Sequence, residues 1–378
     1  MRKLIKIIIN NLLRLIQKRP KKLINVNIEN ADNLFKNKKK YFVETRIISS
    51  SLTTVNPKFL EKDNIQHFKP FESIAEITML TISSNETKFC MNHFLDENSN
   101  VLYETGINLY DLPLSYKKLP VPIQLNGSIA YLSNSNVQNY GHWLQYTFPL
   151  LSYYWEIIGK DKIDYYYIGD IKLSMFQKES LFKAGIKENQ IINYSCKSSL
   201  SYVCIKNNSV QHNYAKYNDQ NSFKFPRSIF SDYLIENSQS PQKIFIKRGR
   251  VNYRKLLNEK ELESYFFNKG FVSLSMDNLS IKEQANLFYN AKCIVASHGS
   301  SLTNLLFTQP DTLILELFPF GYPDWFNFTY ASYAKLNYYY LIGEDLKQKQ
   351  KPIYTDILID IKKIELLVES FNITEIID

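Results

Sequence analysis

The chain has 378 residues, of which 44% are hydrophobic, 14% aromatic and 22% charged, a composition that buries a sizeable core over two or three domains and excludes intrinsic disorder. Its eleven glycines are nowhere spaced as GxGxxG or a Walker A loop, which excludes a conventional dinucleotide fingerprint and a P-loop. The net charge of +9 is mostly a tail effect. Arg2, Lys3, Lys6, Arg14, Lys18, Arg19, Lys21 and Lys22 precede the first acid, Glu29, and without them the rest of the chain is close to neutral, unlike a nucleic-acid binder with a basic groove.

The first 24 residues contain no apolar run long enough to span a bilayer and no signal-peptide core. On a helix, Ile5, Ile8, Ile9, Leu12, Leu15 and Ile16 form one stripe flanked by Arg and Lys. That pattern suits either an interfacial helix on an anionic membrane surface or a helix packed on the protein. The cluster at Lys36 and Lys38 to Lys40 favours the membrane. Short β-rich runs follow at 41–48, 75–82 and 127–133, separated by Pro- and Asn-rich turns.

From residue 140 helices and strands alternate: helix 142–158, strand 163–168, helix 174–184 closed by Gly185, strands near 191–194 and 200–206, helix 225–236. The polar stretch SQSPQ (238–242) reads as a linker. Beyond it come strand 243–248, helix 258–269 ended by Gly270, strand 271–276, helix 280–291, strand 292–297, helix 299–307, strand 312–318, helix 325–336, strands 338–342 and 357–360, and helix 361–371. Such alternation predicts an α/β chain with parallel sheets covered on both faces, as two facing Rossmann-like doubly wound units. Ligands belong outside the carboxyl ends of the strands.

Cys90, Cys196, Cys204 and Cys293 form no CxxC and no disulfide framework, and read as buried thiols in a reducing compartment. The sequons at Asn85 and Asn327 are expected by chance in so Asn-rich a chain. The five histidines, 67, 93, 142, 212 and 298, have no metal-ligand spacing, no Asp-x-Asp occurs, and no G-x-S-x-G elbow appears. No metal is therefore expected.

Three segments carry chemistry. In ASHGSSLTN (296–304) an apolar strand stops, His298 and Gly299 turn, and a helix begins. Its free N–H groups, dipole and the hydroxyls of Ser300, Ser301 and Thr303 make an anion site that Gly299 opens to a phosphate, or else an ordinary capped helix start. KRGRVNYRKLLNE (247–259) puts Arg248 and Arg254 on the same sheet edge, where guanidinium forks match phosphate oxygens. NYGHWLQYTFPLL (139–151) sets His142 in the first turn of a helix beside a large aromatic.

The order GHW…P, Arg-rich loop ending Asn-Glu, Leu-Ser-x-x-x-Gln, HGxxLTNLLF and Glu-Leu-Phe-Pro resembles glycosyltransferase family 61 over about 125–345, most densely over 243–320. The resemblance implies a GT-B fold, with a basic amphipathic segment at 1–40, an acceptor-side domain at 41–240 and a nucleotide-sugar-binding domain at 241–378. It implies an inverting, metal-independent glycosyltransferase of surface polysaccharide biosynthesis such as capsule or lipopolysaccharide. The donor is a nucleotide sugar, expected to be UDP-linked, and the acceptor a glycan or lipid-linked glycan. The expected location is the cytoplasm, peripheral on the inner membrane face. Carried over by position, Arg248 and Arg254 hold the donor diphosphate, His298, Gly299, Ser300, Ser301 and Thr303 complete the donor site, Glu316 meets ribose hydroxyls, and His142 is the base. Tyr146 stands where the family often has an acid, Gly249 where it has a second Arg, and Ser300 where it has Ala. Those departures leave open a GT-B shell without catalysis, or a transferase adding pyruvate to polysaccharide.

Overall fold

The computed structural model describes residues 24–25, 28–29, 41–51, 72–96, 101–102, 115–116, 120–134, 136–208, 219–249 and 251–371. The amphipathic helix expected over 1–24 lies outside these residues but for Ile24, and the basic cluster at 36–40 and His67 and His212 lie outside them altogether.

The N-terminal half contains strands β1 (Tyr41–Ser51), β2 (Glu72–Ser83), β3 (Lys88–Cys90), β4 (His93–Leu95) and β5 (Ile123–Tyr131). A helical segment follows and contains α1 (Leu150–Ile157), and then come β6 (Tyr165–Tyr167), α2 (Met175–Lys183), β7 (Ile191–Ile192), β8 (Cys196–Asn208) and α3 (Gln220–Ile229). Strands β7, β6, β5 and β8 are neighbours in that order and all parallel. β8 extends the sheet by pairing antiparallel with β2 and β3, so the sheet is mixed.

The C-terminal half is more regular: β9 (Lys243–Ile246), α4 (Glu259–Phe267), β10 (Val272–Leu274), α5 (Ile281–Asn290), β11 (Cys293–Ser297), β12 (Leu313–Phe318), α6 (Trp325–Tyr333), β13 (Asn337–Ile342) and α7 (Ile361–Ser370). Its five strands are all parallel in the order β10, β9, β11, β12, β13. Every residue of β11 and β12 is buried, as expected of strands covered on both faces. The sheet reverses direction of growth between β9 and β11, and the carboxyl ends of these two strands flank the crevice where α/β sheets bind ligands.

Several expected boundaries moved for local reasons. The helix expected over 142–158 is instead Tyr140–His142, a π-helical turn Trp143–Thr147, and α1 after Pro149. The wide turn is closed by the Phe148 N–H donating to the Trp143 carbonyl at 2.8 Å. The helix expected over 225–236 begins earlier, because the Asp219 carboxylate caps it by accepting from the Ser222 N–H. Pro226 sits inside this helix and cannot donate to the carbonyl four residues back. That carbonyl, of Ser222, accepts instead from the Tyr330 hydroxyl on α6 at 3.1 Å. The strand expected over 357–360 is only an isolated bridge between Leu256 and Ile357.

The two sheets share one apolar core. A continuous buried cluster runs from Trp143, Phe148 and Tyr154 through Phe223 and Phe230 to Phe307, Phe328 and Tyr338. The Phe230 ring lies 5.9 Å from Phe148 and 5.8 Å from Phe307, so the segment just before the linker packs on both halves. All four cysteines are buried and free. Among the described residues no helix is long and apolar enough to cross a membrane.

His93 shows how burial sets a pH limit on this fold. Its Nδ1 is buried with no partner among the described residues, and burial, opposed by Asp170, pushes its pKa down to about 4. The unfolded chain binds the proton near pH 6.5 and the folded one does not, so this stabilisation is complete above about pH 6.5 and is lost as pH falls towards 4. Replacing His93 by Leu is expected to reduce the stability lost between pH 7 and pH 4.5 by on the order of 2 kcal/mol, measured by urea unfolding of both proteins. Equal losses in the two would show that His93 is not held neutral.

Candidate active site

Two loops meet at the crevice of the C-terminal sheet. One follows β9 and carries Arg248 and Arg254; the other follows β11 and carries His298 and Gly299. A Cβ on Gly299 would overlap the Arg248 guanidinium, whose Cζ lies 3.2 Å from that position. The backbone there is extended, so this glycine is required by space and not by strain.

Arg248 is tied down by its stem. Its backbone N–H donates to Glu259, and its Nε donates to the Arg254 carbonyl at 3.1 Å. Arg254 has φ 53°, a left-handed conformation that costs a non-glycine residue on the order of 1 kcal/mol or more and recurs at functional sites. The Arg254 Nε is buried and has no partner among the described residues. Burial, and then the Arg254 charge, push the Arg248 pKa down to about 10. No salt bridge among the described residues neutralises either guanidinium. The two neighbouring cations repel each other, the Glu259 and Asp277 carboxylates offset part of that repulsion at Arg248, and an anion between the guanidiniums would offset more. Gly249, at φ +68°, makes the turn between β9 and this loop.

Beneath the crevice lies a histidine–carboxylate pair. His298 Nδ1 is 2.7 Å from Glu316 Oε1. Glu316 is fully buried, and it also accepts from Asn327 Nδ2 at 2.7 Å and from the Tyr338 hydroxyl at 2.6 Å. The ring stacks on Phe318 at 5.0 Å and meets Tyr322 edge-on at 5.7 Å. Nearby Asp324 accepts from the Phe326 N–H and the Tyr322 hydroxyl. Burial raises the Asp324 pKa, and the His298 ring opposes that shift.

The opposite wall comes from the N-terminal half. Asn139 accepts from the His142 N–H at 3.1 Å and caps the short helical turn. The same oxygen accepts from the Ser300 hydroxyl at 3.1 Å. The Tyr140 hydroxyl donates to Asn304 Oδ1 at 2.5 Å, and a Cβ on Gly141 would come within 3.0 Å of Thr303 Oγ1. The turn 139–142 therefore docks on Ser300–Phe307, which is a 3₁₀ helix and not the α-helix expected. The π turn sets His142, Gln145 and Tyr146 along one cavity wall, and such turns are common at functional sites. The His142 ring meets Tyr146 at 5.2 Å, and burial pushes its pKa down to about 4.

Two adjoining cavities result. One, of about 610 Å³, is lined by Arg248, Arg254, Asp277, Ser300 and Ser301. The other, of about 620 Å³, is lined by His142, Tyr146, Arg254, His298, Gly299 and Asp324, among others. Asn139, Tyr253, Arg254 and Ser300 border both. Among the described residues no group of three or more His, Cys, Asp or Glu side chains is arranged to hold a metal ion.

Residues 140–315, the span that contains both docking surfaces and both loops, match the family model described as Glycosyltransferase 61. The match covers a little under half of the chain. A 91-residue stretch is 30% identical to the β-1,2-xylosyltransferase XAX1 of Oryza sativa subsp. japonica, covering 24% of this chain and 16% of that protein. The chain thus matches about one sixth of that relative's length.

Within the family 61 region the structure gathers His142, Arg248, Arg254, His298, Gly299, Ser300, Ser301 and Thr303 around one pair of cavities. Several of the expected residues also have partners within the protein. Glu316, expected to meet ribose hydroxyls, lines neither of these two cavities and is fully buried with both oxygens bonded. Gly299 leaves room for the Arg248 guanidinium and also borders the 620 Å³ cavity. Thr303 is buried against Gly141, and the Ser300 hydroxyl already donates to Asn139. Sequence reasoning missed Asn139, Asp324 and Asn327. Asn139 and Asp324 both precede a helix start, a position that signals a cap and that gives no hint of the cavity.

Gly299→Ala is expected to fold, since its backbone is extended, but to displace the Arg248 guanidinium. Affinity for inorganic pyrophosphate, measured calorimetrically, should fall by about tenfold or more, or ~1.4 kcal/mol, with the circular dichroism spectrum unchanged. Undiminished affinity would show that Arg248 does not need this contact.

Proposed function

We propose that the protein is an inverting glycosyltransferase that moves a sugar from a nucleotide-sugar donor to a glycan acceptor, with the donor diphosphate held between Arg248 and Arg254. The observation that carries this reading is the pair of neighbouring guanidiniums, unneutralised by any ion pair among the described residues, at the crevice where an α/β sheet binds ligands. The family 61 match and the xylosyltransferase relative support glycosyl transfer.

Breaking a sugar–diphosphate bond puts negative charge on the leaving phosphate and oxocarbenium character on the anomeric carbon. Preorganised donors at the leaving group contribute several kcal/mol to such a step. Arg248 is fixed by Glu259 and the Arg254 carbonyl before any ligand arrives, so little ordering remains to be done. In this reading the arginines supply the positive charge, and no metal is needed. The 610 Å³ cavity takes the nucleotide end and the 620 Å³ cavity the transferred sugar and acceptor. The two sheets act as the halves of a GT-B enzyme, with 41–240 on the acceptor side and 241–378 on the donor side. UDP-linked donors and a surface glycan such as capsule or lipopolysaccharide belong to the same proposal, as does a basic segment 1–24 that holds the protein on the inner face of an anionic membrane beside a lipid-linked acceptor.

Thermal stabilisation by UDP, GDP, CDP, CMP and phosphoenolpyruvate in EDTA tests this reading. One nucleoside diphosphate at 100 times its Kd is expected to add about 2.7 kcal/mol to the wild type and nothing to Arg248→Ala. Stabilisation by phosphoenolpyruvate alone, or by none of the five, would overturn it.

A further inference from the structure

Three features of the His298 environment converge. First, Glu316 is fully buried and lies 2.7 Å from Nδ1, so the neutral ring keeps its proton on Nδ1 and leaves the Nε2 lone pair free. Second, Asn327 and the Tyr338 hydroxyl hold the carboxylate from its other sides, which fixes the ring's direction. Third, Nε2 has no partner among the described residues, and His298 lines the 620 Å³ cavity with His142, Tyr146 and Asp324.

We infer that His298 is the general base of this site, oriented by Glu316, and that it takes the proton of the attacking acceptor hydroxyl on Nε2. This rests on the glycosyl-transfer reading above. In the step, the acceptor oxygen forms a bond to the anomeric carbon while the bond from that carbon to the phosphate oxygen breaks. The nucleoside diphosphate leaves with the bonding pair, and the acceptor proton passes to Nε2.

The charged groups around the ring favour this direction of proton transfer. Glu316 lies beneath it and Asp324 beside it, so an imidazolium forms between two carboxyl groups. Among cations, Arg248 packs on Gly299, and Arg254 and Lys351 border the same cavity. Tyr322 meets the ring by its edge. His142 shares the cavity but has only the Tyr146 edge contact and no hydrogen bond to its ring among the described residues, so none of those residues fixes its tautomer. His298 has what a base needs, a fixed ring with a fixed proton; Glu316 is the positioning residue.

Two measurements on the full chain test this. Side-chain nitrogen NMR at pH 7.5 is expected to show His298 protonated on Nδ1 alone, and that preference should be lost in Glu316→Gln. Turnover of UDP-xylose, UDP-glucose and UDP-N-acetylglucosamine, read as released UDP over pH 5 to 9, gives the second. His298→Gln is expected to lower kcat about 10²- to 10⁴-fold with little change in KM, and to abolish the fall in kcat/KM at low pH. Glu316→Gln should lower kcat less and shift that limb, with Glu316→Asp closer to the wild type. The His142→Gln enzyme should keep the limb. A proton found on Nε2, or a limb that survives in His298→Gln and disappears in His142→Gln, overturns the assignment and leaves glycosyl transfer intact. Absence of turnover in the wild type overturns both.

Discussion

The site depends on one close approach, the turn at 139–142 seated on the 3₁₀ helix Ser300–Phe307. Gly141 permits it, since any side chain there would meet Thr303 and Ser300. Two hydrogen bonds fix its register, Tyr140 to Asn304 and Ser300 to Asn139. Each contributes only about 0.5–1.5 kcal/mol net, less than the burial of Trp143 and Phe148 in the common core just behind the joint. The apolar core therefore holds the two halves together, and the polar contacts decide how they face. That facing sets the π turn with His142 and Tyr146 opposite His298, and it makes one cavity wall from each sheet.

Charge is sorted across the crevice. The guanidiniums of Arg248 and Arg254 gather on the β9 side, where Glu259 and Asp277 act on Arg248 without forming a salt bridge among the described residues, while Glu316 and Asp324 gather under and beside His298. Neutralising the arginines with those carboxylates would remove the repulsion that, under the proposed function, a donor diphosphate relieves. The strain at Arg254 and its unsatisfied Nε have the same meaning. Both are costs borne by the folded chain that a phosphate group is well suited to relieve.

Much of this was legible in the sequence because it is local. Strand and helix alternation after residue 140, Gly185 and Gly270 at helix ends, and the Arg-rich and His-Gly loops at strand ends are written in short windows. The parallel order of the C-terminal sheet then places both loops at its switch point. What was not legible depends on distant partners. Asp219 and Tyr330 reposition the helix around Pro226, and nothing near Pro226 announces the Tyr330 hydroxyl more than a hundred residues away. Tyr338 and Asn327 turn Glu316 inward, whereas its place at a strand end reads as a ribose contact. The short turn at 300–307 has the composition of an α-helix and tightens to 3₁₀ where its residues are wedged between α5, α6 and the 139–142 turn.

Two kinds of residue occur within the segments GHW and HGSSLTN. In GHW, glycine and tryptophan are structural: Gly141 allows the docking and Trp143 is buried with its Nε1 donating to Ser180 at 2.8 Å. In HGSSLTN, Gly299, Thr303 and Asn304 make contacts within the protein, and His298 keeps a nitrogen for the cavity. Function is better sought where the fold leaves a polar group unspent, and here that criterion selects the Arg248 guanidinium, the Arg254 Nε and the His298 Nε2.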